Sequence, residues 1–321
     1  MGQGLTVIVP VYNESDVLRA FHDRLTRVMV ECGYPYQVLY VDDGSDTACQ
    51  ASLQALRDSD PAVALLELSR NFGKEVAMSA GLDHATGDAV IVIDADLQDP
   101  PEIIPEFIRQ WQAGYDVVYG QRSERQGESL LKRSTAAVFY RLMNWLSDVD
   151  IPPDAGDFRL LSRRAVDALV ALPERHRYMK GLCAWIGFPQ RAVPYVRQSR
   201  AAGDSKWSYW NLWNYALEGI TSFSNAPLKI ATYLGAAASS LAFVYGLYML
   251  VRTLIWGNPV PGYPSLIIIV LFLGGVQLMC LGIIGEYLAR TYGESKARSR
   301  YFLKGYHPAQ GADNTSEGED D

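Results

Sequence analysis

Cysteine and histidine are scarce in this chain, and the scarcity excludes several kinds of protein. The four cysteines, Cys32, Cys49, Cys183 and Cys280, form no Cys-x-x-Cys pair. A disulfide framework and a zinc site of familiar spacing are therefore excluded. Four histidines are too few to suggest a histidine metal centre. The N-terminus lacks a basic stretch followed by a cleavable apolar segment, so the front of the chain is expected to stay in the cytoplasm. Positive charge is not in excess either. A net charge of −7 argues against binding nucleic acid by phosphate neutralisation. Much of that charge sits in the last stretch, where Asp313, Glu317, Glu319, Asp320 and Asp321 occur with no base. Such a segment reads as a solvated end.

What is present falls into two parts, as 321 residues allow. Apolar runs at Leu5–Val9, Gln37–Val41, Ala64–Leu68, Ala89–Ile93 and Val117–Tyr119 predict strands. Helical patterns lie between them, near Glu14–Glu31, Thr47–Arg57, Lys74–Ala85 and Pro101–Gln112. Continuous apolar strands alternating with helices predict a mostly parallel α/β sheet, covered on both faces, with right-handed crossovers. Ligands of such sheets bind at the carboxyl ends of the strands.

The character changes near residue 205. Trp207, Tyr209, Trp210, Trp213 and Tyr215 crowd one short segment, and Leu217 and Ile220 continue its helical spacing. Amphipathic rings suit a helix in the headgroup layer; packing on the soluble domain is the alternative. Ile230–Val251 carries no charge, and Leu266–Leu288 carries only Glu286. Each is about the twenty residues needed to cross hydrocarbon. The connector Trp256–Pro264 is short and rich in turn formers, which predicts a hairpin. Lys229 precedes the first span, and Arg290, Lys296, Arg298, Arg300 and Lys304 follow the second. The positive-inside rule puts both ends in the cytoplasm, and the basic stretch is expected to meet anionic headgroups. The expected units are 1–205 (soluble), 206–228 (interfacial), 229–290 (helices at about 230–252 and 265–288) and 291–321 (a basic, then acidic tail).

Three polar constellations follow predicted strands. Asp94-Ala95-Asp96 places two carboxylates where they can hold Mg²⁺ or Mn²⁺ against a diphosphate. The same spacing recurs at Asp58–Asp60 and Asp148–Asp150, so position rather than spacing marks the first pair. Asp42-Asp43-Gly44-Ser45 suits hydrogen bonds to a ribose or base, or equally a turn and helix cap. Pro10-Val11-Tyr12-Asn13-Glu14 offers Tyr12 to flank a base, with Asn13 a candidate cap for the next helix.

Taken in order, Val9-Pro-Val-Tyr-Asn-Glu14, Asp42-Asp-Gly-Ser45, Arg70-Asn-Phe-Gly-Lys-Glu75 and Asp94-Ala-Asp-Leu-Gln-Asp-Pro-Pro-Glu102 resemble the inverting glycosyltransferases of family 2, which have the GT-A fold. More narrowly they resemble the polyprenyl-phosphate group that includes bactoprenol glucosyltransferase and dolichol-phosphate mannose synthase. The resemblance spans roughly residues 5–300. It implies that Pro10, Tyr12, Glu14, Asp42 and Asp43 hold the nucleoside. Asp94, Asp96 and Gln98 would take the metal and diphosphate, with Lys74 a further donor contact, a surface lysine being the plainer reading. Arg200, Ser205 and Lys206 match a segment that closes over the pyrophosphate. Arg122, Lys132 and Arg133 would attract the anionic acceptor. Asp157 stands at the position of the proposed base, with Arg159 nearby.

The implied reaction moves a hexose, with glucose from UDP-glucose the first choice, onto the phosphate of a membrane polyprenol with inversion. UDP-formamido-arabinose and GDP-mannose are the alternative donors; the sequence leaves the oligomeric state open, with a homo-oligomer through the membrane helices one option. A phosphate monoester is already largely ionised near neutral pH, its second pKa being about 6. Asp157 is therefore expected to position groups more than to abstract a proton. A processive polymer synthase fits less well: two spans are too few for a channel, and Gln190-Arg-Ala-Val-Pro194 does not supply the Gln-x-x-Arg-Trp motif. A membrane scaffold without catalysis is opposed by the intact Asp94, Asp96 and Gln98.

Overall fold

The computed structural model describes residues 4–124, 155–175, 177–196, 224, 226–256 and 262–310. The chain begins with β1 (Leu5–Val11), α1 (Ser15–Cys32), β2 (Tyr36–Asp42), α2 (Thr47–Ser59), β3 (Val63–Leu68), α3 (Lys74–His84) and β4 (Ala89–Val92). A short 3₁₀ turn leads into α4 (Ile104–Gln112), then β5 (Val117–Glu124). After these come β6 (Ala155–Ser162), α5 (Arg163–Ala171), α6 (Met179–Trp185) and β7 (Gln190–Val196). Two long helices follow, α7 (Ala226–Trp256) and α8 (Tyr263–Ser295), and last comes β8 (Leu303–His307).

All eight strands form one sheet, in the order β7-β5-β6-β4-β1-β2-β3-β8. The pairs β1–β2, β1–β4 and β2–β3 are parallel. Strand β6 runs antiparallel between β4 and β5. The order reverses at β1, where β2 lies on one side and β4 on the other, so a crevice opens beyond the carboxyl ends of β1 and β4. Alternate residues of the central strands feed two cores. Val7, Val9, Val38 and Ile91 pack with Phe21, Leu25 and Phe107, while Ile8, Leu39, Val90 and Leu66 pack with Ala77, Val166 and Leu169. Burial on both faces is why these strands read as unbroken apolar runs.

The five predicted strands are present, most extended by one or a few residues. Strands β6 and β7 went unread because charged side chains interrupt them and their partners are distant in sequence. The tail from 291 differs more from expectation. Helix α8 continues to Ser295, and Leu303–His307 then adds an antiparallel edge strand to β3. Lys304 pairs with Glu67 at 3.3 Å, and Arg300 with Asp83 at 3.0 Å. These two bases pair with acids of the α/β domain, which the sequence alone did not predict. Residues 311–321 lie outside the described residues, as do most of the 206–228 segment and the tip of the connector.

Helices α7 and α8 have mean hydropathies of 1.7 and 2.4 over their apolar windows, with none of those windows buried in the protein. At 1.5 Å per residue they are about 46 and 50 Å long, more than the roughly 30 Å of hydrocarbon. Charge ends the apolar stretch without ending the helix: Glu286 and Arg290 pair one turn apart at 3.4 Å and α8 runs on. At the base of the hairpin, the Tyr287 hydroxyl donates to the Ser224 carbonyl at 2.5 Å. The Arg175 amide donates to Glu294 at 3.0 Å, joining α8 to the α/β domain.

Candidate active site

The β2 end is built from a turn. The Asp42 carboxylate accepts the Ser45 amide at 2.9 Å and the Gln50 side-chain amide at 3.3 Å. Asp43, 3% exposed, accepts the Phe72 and Gly73 amides at 2.7 and 2.9 Å. Burial pushes its pKa up, although those two amides oppose the shift. Gly44 sits between them at φ +72°, and a Cβ there would lie 2.5 Å from the Arg70 carbonyl carbon. The β2–α2 and β3–α3 loops thus touch backbone to backbone. Asn13, at φ 54°, accepts the Asp46 amide at 2.8 Å. It ties the β1 loop to the start of α2 instead of capping α1, whose cap position is Glu14. Pro10 lies within β1, Tyr12 is 42% exposed at its end, and Glu14 is half-buried.

The β4 end is built from charges. Val92 pairs with Arg159 in the antiparallel β4–β6 register. Continuing that register two residues beyond β4 sets Asp94 opposite Asp157. Two adjacent carboxylates repel, and Lys74, the first residue of α3, stands between them. Its Nζ lies 2.7 Å from Asp94 and 2.6 Å from Asp157. Enclosure disfavours the ammonium, but Asp157 and then Asp94 outweigh it, and its pKa lies well above the ordinary value. Lys180 of α6 approaches the other oxygen of Asp157 at 3.8 Å. Burial raises the Asp157 pKa, but Lys74, Lys180 and Arg159 together hold it well below the usual carboxylate range. Asp94 has only Lys74 against its burial, and its pKa is raised.

Behind this pair lie Arg159, already placed near Asp157 by the sequence, and two groups given no role there, Glu75 and Lys180. Arg159, 5% exposed, donates to the Gly156 carbonyl at 2.8 Å. Glu75 accepts the Met179 amide at 3.2 Å, and its pKa is pushed up to about 7 by burial and by Asp157. Glu75 was visible as the end of the Arg70–Glu75 motif; Lys180 carried no local signal. Asp96 accepts the Gln98 amide at 3.1 Å, which holds Leu97 at φ 59°. A left-handed leucine costs about 1–3 kcal/mol, and such strain collects at functional loops. Arg122 of β5 is half-buried near Tyr195 and Gly156. The structure therefore gathers Lys74, Asp94 and Asp157 in direct contact. Lys132, Arg133, Arg200, Ser205 and Lys206 lie outside the described residues.

A half-parallel sheet whose order reverses at β1, with acids and bases collected at the strand ends, is the GT-A arrangement of nucleotide-sugar transferases. Residues 6–170 match the description "Glycosyl transferase family 2", and residues 226–291 match "GtrB C-terminal hairpin". The chain belongs to glycosyl transferase family 2 and is a glycosyltransferase. It is 48% identical to the "Prophage bactoprenol glucosyl transferase homolog" of Escherichia coli, over 94% of this chain and 98% of that one. It is 49% identical to the "Bactoprenol glucosyl transferase" of Shigella phage SfV, with the same coverage. An "Uncharacterized glycosyltransferase" of Synechocystis is 48% identical over 93% of this chain and 94% of that one. The hairpin match and the two long apolar helices make the chain membrane-associated.

Proposed function

We propose that the protein transfers a glucosyl group from UDP-glucose to the phosphate of a membrane polyprenol, with inversion at the anomeric carbon. The observation that carries this reading is identity of 48–49% to bactoprenol glucosyl transferases across catalytic domain and hairpin alike. The hairpin holds the site near the headgroup plane, where the acceptor phosphate lies, and so replaces a three-dimensional search with positioning. The basic flanks favour a cytoplasmic catalytic domain with both termini on that side. The exposed apolar faces of α7 and α8 are open to lipid or to further copies in a homo-oligomer.

Pro10, Tyr12, Glu14, Asp42 and Asp43 face the nucleoside in this reading. The carboxylates of Asp42 and Asp43 already bind amides, but each oxygen keeps a second lone pair. Asp94 and Asp96, with Gln98, would hold Mg²⁺ or Mn²⁺, since hard oxygens suit either ion. No group of three or more His, Cys, Asp or Glu gathers to hold a metal among the described residues. Two carboxylates nevertheless fit an ion whose remaining ligands are substrate phosphates and water. When bound, the ion neutralises charge on the departing diphosphate.

The protein's own groups do the rest. Lys74 can leave the Asp94–Asp157 pair for a donor phosphate, because its Nζ is held by side chains alone and the residue is exposed. While Lys74 and Lys180 flank it, Asp157 is held ionised and is a weak proton acceptor. The attacking phosphate is already anionic and needs no base. Asp157 thus holds Lys180, and holds Lys74 until a donor phosphate draws it away, while Arg122, Lys132 and Arg133 receive the acceptor. Arg200, Ser205 and Lys206, outside the described residues, complete the set of donor contacts in this reading.

The test uses purified protein in lipid nanodiscs with labelled UDP-glucose, Mg²⁺ and undecaprenyl phosphate. A chloroform-soluble labelled product is expected. A labelled polymer would instead indicate a processive synthase, and no product with any nucleotide sugar a scaffold. A screen of nucleotide release over UDP-glucose, UDP-formamido-arabinose and GDP-mannose fixes the donor.

A further inference from the structure

Arg122 is the near end of a relay through β7. It lies in register with Tyr195 across β5 and β7, and the guanidinium and the phenol hydroxyl both lie against Gly156, which sets the two polar ends side by side. The Tyr195 hydroxyl donates in turn to Oδ1 of Asp99, a carboxylate 2% exposed in the loop after β4. With its proton committed to Asp99, the phenol oxygen has its lone pairs to offer the guanidinium. Tyr195 also separates the acid from the base. Arg122 is therefore oriented by Asp99 without being neutralised by a direct ion pair.

Two glycines give the relay its space. A Cβ at Gly120 would stand 2.8 Å from Cε1 of Tyr195, so the ring lies against the β5 backbone. A Cβ at Gly156 would stand 3.6 Å from the Tyr195 hydroxyl and 3.8 Å from Nη2 of Arg122. Gly156 precedes Asp157, so the guanidinium lies beside the charged cluster. Nε of Arg122 is buried and has no hydrogen-bond partner among the described residues. A buried cationic donor left unpaired is unfavourable, and an anion is the group that would satisfy it.

We infer that Tyr195 and Asp99 are positioning residues that fix Arg122 with its remaining N–H groups toward the phosphate monoester of the acceptor, on the Asp157 side of the site. This rests on the acceptor role proposed above for Arg122. A guanidinium fork fixed in advance loses little conformational entropy when it meets phosphate, so the benefit appears as acceptor affinity.

The experiment measures initial rates in nanodiscs, varying undecaprenyl phosphate and the donor identified by the screen independently. Tyr195→Phe keeps the ring over Gly120 and cuts the relay. It is expected to raise the acceptor KM about 5- to 20-fold, leaving kcat and the donor KM within about 2-fold. Asp99→Asn removes the charge at the relay's other end while keeping an acceptor oxygen, and is expected to act in the same direction but more weakly. Tyr195→Phe combined with Arg122→Met should be no worse than Arg122→Met alone, because both remove one linked interaction. A rise in donor KM instead, or full additivity of the two changes, would overturn the inference. If Arg122→Met raises the acceptor KM and neither Tyr195→Phe nor Asp99→Asn does, the relay alone is refuted. If Arg122→Met leaves the acceptor KM unchanged, the acceptor role of Arg122 is refuted and the relay with it.

Discussion

At the end of β2, Asp42 and Asp43 bind backbone amides, whereas beyond β4 and within β6, Asp94 and Asp157 share the ammonium of Lys74. Both pairs are strand-end carboxylates in one crevice, yet their partners differ in kind. A backbone amide cannot leave without moving its loop. An ammonium on a four-carbon stem can swing away when phosphate or metal arrives. The first pair therefore fixes the shape of the crevice, and the second keeps charge available for chemistry.

The sharpest test of this division is to neutralise one acid at a time. Asp96→Asn or Asp94→Asn is expected to lower kcat by about 10²–10³, the usual loss when a group stabilising transition-state charge is removed. On the reading proposed above, in which Asp157 arranges lysines, Asp157→Asn is expected to cost less. Complete loss with Asp157→Asn alongside an active Asp96→Asn would reverse the ranking. On the other side of the comparison, Asp43→Ala strips the acceptor from two buried amides. Each hydrogen bond to a charged group contributes about 1.5–3 kcal/mol, and each kcal/mol moves the Tm of a domain this size about 2–4 °C. A drop of about 6–24 °C by differential scanning calorimetry is expected. An unchanged Tm would show that Asp43 does not hold the loops together.

The smallest effect concerns Glu75, the carboxyl that borders the mobile pair. Its pKa rises from 4.5 to about 7 on folding. Between those values the unfolded chain has lost this proton and the folded chain retains it, so this group lowers stability as pH rises from 4.5 to about 7. Glu75→Gln should remove that contribution. The Tm difference between variant and wild type should therefore shift in favour of the variant across this window. A difference independent of pH would mean that Glu75 ionises normally in the folded protein.

The parallel half of the sheet was legible because its strands are buried on both faces and so read as apolar runs. Both apolar helices were legible for the related reason that lipid tolerates few charges. The three strand-end constellations were legible by position. A turn and a nucleoside contact use the same residue types, however, so the sequence left both readings open for Asp42, and the structure shows the turn. Strands β6 and β8 were hidden, since the charges of Ala155–Ser162 and Leu303–His307 obscure any apolar pattern and the partners are far along the chain. Arg300 and Lys304 looked like lipid-facing bases because their acids, Asp83 and Glu67, lie more than 200 residues away.

The sequence by itself determined the layout: an α/β glycosyltransferase domain, strand-end acids at Asp42, Asp43, Asp94 and Asp96, and an apolar hairpin after it. Local composition and periodicity suffice for that, because burial and hydrocarbon select residue types position by position. Only the tertiary structure decided which acid meets which base. The antiparallel register of β6 on β4 sets Asp157 opposite Asp94, the start of α3 delivers Lys74 between them, and the β5–β7 pair delivers Tyr195 to Arg122. Those partnerships depend on sheet order and register, which join residues that no local stretch of sequence contains.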